Sequence, residues 1–144
     1  MRIREFRGRG VQPFLPGNTQ GIEARLTLCP DPTEVAAARQ FVADTLARWG
    51  NDDDLQAVVF LVSELVTNAV THAGTEIIVT LRSEDSVVTV EVHDDSDRLP
   101  IYIHVSPTTT GGRGLHLVAA MSDDWGSRRI PGDGKVVWFS LAAQ

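Results

Sequence analysis

The chain has 144 residues, 42% of them apolar and 22% charged, and a formal net charge of −6. That is the length of one domain and the balance of an ordinary globular protein, able to bury roughly two-thirds of the surface its unfolded form exposes. The acidic balance argues against a nucleic-acid binder, which would carry a basic face, but leaves room for an anionic ligand in a site of local opposite sign. The one cysteine, Cys29, excludes an internal disulfide and a cysteine-based metal site, and suits a reducing compartment. The basic opening from Met1 to Gly10 is followed by no apolar segment of a secretory signal, and no run of about 18 apolar residues marks a membrane span. A soluble, cytoplasmic protein is expected.

Residues 1–20 mix Arg, Gly, Pro and Asn without a period and read as a loose arm, ordered only if docked, ahead of one domain over 21–144. Ile22 to Leu28 alternates apolar and polar residues and predicts a half-buried strand. Asp31-Pro32 predicts a helix start, with Val35, Ala38, Phe41, Val42, Leu46 and Trp49 at helical spacing and Gly50 at the C-terminal cap. A second helix is expected from about Asp53 to His72 and ends at Ala73-Gly74. Alternation predicts strands over about Glu76–Arg82 and Val87–His93, joined by the turn Ser83–Ser86. The irregular stretch from Asp94 to Gly114 is long enough to be functional. A short helix from near Gly114 to Asp123 and strands over about Asp124–Arg129 and Lys135–Leu141, around the turn Pro131–Gly134, complete the chain. The order reads as one sheet under a layer of helices.

On the second helix Leu55, Val58, Val59, Val62, Leu65, Val66 and Ala69 form one apolar stripe at ~100° per residue. Glu64, Asn68 and His72 fall at i, i+4 and i+8 beside it. Such a row can line a wet cleft that holds a cation and polarises a hydroxyl, or it can be part of a solvated face. Asp94 closes a strand, where an acid either caps a turn or accepts a hydrogen bond from a purine amine. Gly111, Gly112 and Gly114 open a helix with Arg113 among them. They can cradle a phosphate at the helix N-terminus or serve as a hinge. The four histidines show no zinc spacing, Ser63 has no hydrolase motif, and the glycines are not a P-loop.

Taken in order, Glu64-Leu-Val-Thr-Asn68-Ala-Val-Thr-His72, Val92-His-Asp94-Asp95-Ser96 and Gly112-Arg-Gly-Leu-His-Leu-Val118 resemble the ATPase family shared by gyrase and the histidine kinases. Within that GHKL-type superfamily the set is most similar to bacterial anti-sigma-factor serine/threonine kinases. Met121-Ser-Asp-Asp-Trp125-Gly and Gly134-Lys-Val-Val-Trp138-Phe-Ser-Leu141 look like the small stand-alone members. The resemblance spans about residues 22–141. It implies an α+β fold, a two-layer α/β sandwich of the Bergerat type, with a mixed sheet of about five strands under three helices. It further implies ATP and Mg²⁺ as cofactors. Asn68 would coordinate the metal, Glu64 would be the catalytic base, Asp94 would bind the adenine amine and His72 would lie beside the nucleotide. Leu99, Thr110, Gly111, Gly112, Arg113, Gly114 and Leu115 would complete the nucleotide site as lid and phosphate cradle.

Two departures stand out. The family usually carries Asp-x-Gly-x-Gly, and here Ser96 and Arg98 hold the glycine positions. Lys135 and Val136 follow the last-turn glycine where many relatives carry a threonine that helps bind adenine. The resemblance therefore implies a serine/threonine kinase acting on an anti-sigma-factor antagonist, with a sigma factor as a further partner and no membrane or direct nucleic-acid partner. The alternative is a partner-binding module with weak or lost nucleotide binding. The family often forms homodimers, but no dimer face is legible in the sequence.

Overall fold

In a computed structural model of the chain, residues 2–7, 21–51, 55–96 and 121–142 are described. Six strands and two helices follow in the order β1 (Arg2–Arg7), β2 (Ile22–Leu28), α1 (Glu34–Arg48), α2 (Leu55–His72), β3 (Ile77–Glu84), β4 (Val87–Asp94), β5 (Asp124–Arg129) and β6 (Lys135–Ala142). The strands form one sheet in the order β1-β2-β3-β4-β6-β5, with the last hairpin folded back so that β6 lies between β4 and β5. The α+β two-layer architecture stands, with two corrections. Every neighbouring pair is antiparallel, so the sheet is not mixed. Arg2–Arg7, expected in a loose arm, pairs with β2 and makes the sheet six-stranded. The third expected helix lies outside the described residues except for Met121, which is helical.

The start of α1 differs from its sequence signal. Asp31 does not cap the helix. Its Oδ1 accepts hydrogen bonds from the Thr33 backbone N–H and the Thr33 hydroxyl, both at 2.9 Å, in a turn that precedes the first helical residue. Those two bonds hold the Asp31 carboxyl below its usual pKa. At the other end Gly50 takes φ 75°, and the N–H groups of Gly50 and Asn51 donate to the carbonyls of Ala47 and Leu46 at 3.1 and 2.9 Å. This double bond closes the helix through a left-handed glycine.

Alternation along the strands sends one set of side chains toward the helices. Ala24, Leu26 and Leu28 meet Ile77, Val79 and Leu81, then Val88, Val90 and Val92, then Val137, Phe139 and Leu141. Over them lie Phe41, Val42 and Leu46 of α1 and Val58, Leu61, Val62, Leu65, Val66 and Ala69 of α2. Leu61 joins the buried stripe of α2, while Leu55 and Val59 sit at its half-buried margins. By length and hydropathy α2 could cross a membrane, a feature the sequence reading missed. Its apolar stripe is instead spent on the sheet and on α1.

The β3–β4 hairpin turns on Asp85 and Ser86, at φ 54° and 64°. Left-handed φ at both central positions defines a tight hairpin turn that favours Asn-Gly, and a side chain with a Cβ is disfavoured there. Replacing Ser86 with glycine is expected to stabilise the domain by about 0.5–1 kcal/mol. Urea denaturation would measure it, and a loss would mean that the serine makes a contact outweighing its backbone strain.

Candidate functional site

Two elements carry the residues singled out by the sequence. Helix α2 places Glu64 and Asn68 one turn apart, both half-buried beside the buried Leu65 and Ala69. His72, one turn further, is exposed. Neither Glu64 nor Asn68 has a hydrogen-bond or ion-pair partner among the described residues. The neighbouring Ser63 is engaged by α1, accepting from Arg39 Nη1 at 3.2 Å, which ties the two helices.

Asp94 ends β4 on the helix-facing side of the sheet, in line with Val88, Val90 and Val92, and only 2% of it is exposed. It is already occupied. Register puts Lys135, the first residue of β6, directly across from it. Lys135 Nζ donates to Oδ2 at 2.7 Å and to Oδ1 at 2.9 Å, and the Ser96 backbone N–H donates to Oδ1 at 2.9 Å. Lys135 is itself buried, so the two charges neutralise each other away from water. The sequence showed Lys135 as an unexpected residue in the last turn, but not as the partner of Asp94.

The β5–β6 turn is pressed onto this acid. Gly134 has φ 78°, and a Cβ there would collide with the Asp94 carbonyl oxygen and lie 2.7 Å from Asp95 Cα. Only glycine fits both the dihedral and the space. On the outer side, a cleft of about 790 Å³ opens between Asp95–Ser96 and the turn residues 129–134. Asp95 is anchored there by its backbone N–H, which donates to Thr75 Oγ1 at 2.9 Å.

His93, Asp95 and Asp133 bring three ligand-type atoms within 4.8 Å of one another at this rim. The histidine is spent, however. Its Nε2 lies 2.6 Å from the Asp133 carbonyl oxygen, which can only accept, so Nε2 carries the proton. Its Nδ1 is buried without a hydrogen-bond partner among the described residues. A metal at Nε2 would displace that bond and leave a buried Nδ1–H with no acceptor, the reverse of the support a ligating imidazole normally has.

The remaining sequence candidates, Leu99, Thr110, Gly111, Gly112, Arg113, Gly114 and Leu115, lie outside the described residues, as does Arg98. For Mg²⁺ and ATP, the described groups fit in part. The Asn68 amide and the Glu64 carboxylate have no partner among the described residues, and Asp94 Oδ2 accepts there from Lys135 alone.

No curated protein matches the chain. The histidine kinase-like ATPase domain matches residues 28–141, from the end of β2 through β6, and so takes in α1, α2 and the Asp94–Lys135 pair. With most of its length covered, the chain belongs to the histidine kinase-like ATPase domain family, a family of ATP-binding domains.

Proposed function

We propose that this protein binds ATP with Mg²⁺ and transfers the γ-phosphoryl group to a serine or threonine of an anti-sigma-factor antagonist, acting as a cytoplasmic anti-sigma regulatory kinase. The observation that carries this reading is the half-buried pair Glu64 and Asn68, one turn apart at the core edge of α2 and without a partner among the described residues. Asn68 would hold the metal, which when bound screens the phosphate charge. Glu64 would accept the hydroxyl proton of the incoming serine as its oxygen bonds to the γ-phosphorus and the bridging bond to the β-phosphate breaks, releasing ADP. Asp94 would meet the base. His72, Leu99, Thr110, Gly111, Gly112, Arg113, Gly114 and Leu115 are proposed as the rest of the nucleotide site. The antagonist is the proposed partner, with a sigma factor or a second copy of the chain as further ones.

A second reading is favoured by one observation. Lys135 holds the acid that would recognise the base, which supports a partner-binding module with weak or lost nucleotide affinity. Calorimetric titration of ATP with and without Mg²⁺ separates the two. Micromolar, Mg²⁺-sensitive binding supports the first, and absence of binding at millimolar ATP sinks it in favour of the second. Given binding, Glu64→Ala is expected to lower transfer from labelled ATP by about 10²–10⁴-fold while leaving ATP affinity largely intact. Loss of both together would assign Glu64 a structural role.

A further inference from the structure

We infer that the outer edge of β5 is a self-complementary interface, on which a second copy of the chain pairs its own β5 antiparallel across a two-fold axis at Gly126. This stands independently of the nucleotide reading.

Among the described residues β5 ends the sheet, with β6 on its one side. The Ile130 N–H donates to the Gly134 carbonyl at 2.9 Å, and ladder bonds recur at every second residue of an antiparallel pair. Arg128, Gly126 and Asp124 therefore turn their backbone groups to β6, while Trp125, Ser127 and Arg129 turn theirs to the edge. The Trp125 N–H is met there by Asp124 Oδ1 at 3.0 Å, a side-chain acceptor where a ladder would have a carbonyl.

Charge selects the partner. Asp124 stands at the start of the strand and Arg128 near its end, both exposed and both on the face of the sheet away from the helices. Parallel pairing of two copies in register would set Asp124 against Asp124 and Arg128 against Arg128. Antiparallel pairing centred on Gly126 sets each Asp124 opposite the Arg128 of the other copy, twice by symmetry. In that register Trp125 and Ser127 form a hydrogen-bonded pair, which uses the backbone groups that face the edge. Within one copy Arg128 lies 3.7 Å from Glu91, a loose contact for a side chain 53% exposed.

Gly126 suits the axis. Opposite residues that exchange no hydrogen bonds approach to ~4.5 Å between Cα atoms, and two glycines put no side chain between them. The Trp138 indole leans over Gly126, where a Cβ would meet it at 3.1 Å. In the dimer the two indoles approach each other over the axis from strands about 14 Å apart, at ~4.8 Å per strand. They supply the apolar contact that a charged edge lacks. A six-residue strand buries less than the ~1,200 Å² of a standard interface, so the dimer is weak and forms in the upper micromolar range.

Sedimentation equilibrium of the full chain, taken up to about 1 mM, is expected to show monomer and dimer in exchange. Asp124→Arg and Arg128→Asp each set like charges opposite each other and should weaken self-association by about tenfold or more. Both sites are exposed, so both variants keep the fold, which circular dichroism checks. An equimolar mixture of the two restores both ion pairs and should regain the native affinity as a heterodimer. A native chain that stays monomeric at about 1 mM overturns the inference, as does a dimer that either variant leaves unchanged. Two weakened variants whose mixture fails to associate would refute the antiparallel register.

Discussion

Replacing Lys135 with methionine is expected to cost about 3–5 kcal/mol of unfolding free energy, a large share of what a domain of this size has. The side chains of Lys135 and Asp94 are 8% and 3% exposed. Methionine fills the aliphatic path of the lysine but leaves Asp94 charged and buried, with the Ser96 N–H as its one remaining hydrogen-bond donor among the described residues. An exposed ion pair broken the same way would cost 1 kcal/mol or less, about the ceiling for surface salt bridges. The magnitude therefore reports the burial of the pair. The double variant Asp94→Leu/Lys135→Met should regain most of the loss, because two apolar side chains need no partner. Urea denaturation of the native protein, both single variants and the double variant gives the coupling as a thermodynamic cycle. A coupling below about 1 kcal/mol would mean that water reaches Asp94 and that the acid is free for a ligand.

Much of the fold is legible in local pattern. Ile22–Leu28 has the bounds that its alternation predicts, because one of its faces lies on the core, and Asp124–Arg129 has the bounds expected of a strand ahead of the turn Pro131–Gly134. The amphipathic stripe of α2 placed Glu64 and Asn68 at the core margin, where they lie. Arg2–Arg7 was not legible, since a charged segment on a sheet edge needs only backbone pairing and leaves little apolar pattern. The start of α1 was misread because Asp-Pro is equally good chemistry for a turn and for a cap, and Thr33 decided between them. Lys135 escaped for a different reason. Its partner stands on β4, which is not its hairpin neighbour, and only the register between β4 and β6 brings the two opposite each other. Pairing between strands far apart in sequence is a tertiary fact that local periodicity does not carry.

The second large effect is expected on the opposite face of the sheet. Arg82 Nε donates to Glu23 Oε1 at 2.8 Å across the β2–β3 pair, and Nη1 donates to Glu91 Oε2 at 3.0 Å on β4. Burial works against the guanidinium charge, but the hydrogen bond and attraction of Glu91, then those of Glu23, outweigh it and hold the pKa of Arg82 above its ordinary value. The group therefore stays charged at any pH the fold survives. Glu23 is the vulnerable member. Its side chain is 4% exposed, and Arg25 Nε lies 3.4 Å from Oε2 without hydrogen-bonding it. Arg82→Met keeps the apolar stem and removes the charge, leaving Glu23 buried with Arg25 as its one misaligned partner among the described residues. The expected cost is about 2–3 kcal/mol, below the range for a fully buried pair because Arg82 itself is 31% exposed. The deficit should persist in 1 M salt (a concentration of about 3 Å Debye length), since mobile ions screen surface charges far better than buried ones. Glu23→Leu/Arg82→Met should regain most of it, as Arg25 is half in water and Glu91 keeps Arg128 at 3.7 Å. A cost under about 0.5 kcal/mol, or one that vanishes in salt, would show that the ladder is a surface feature and that the sheet does not depend on it.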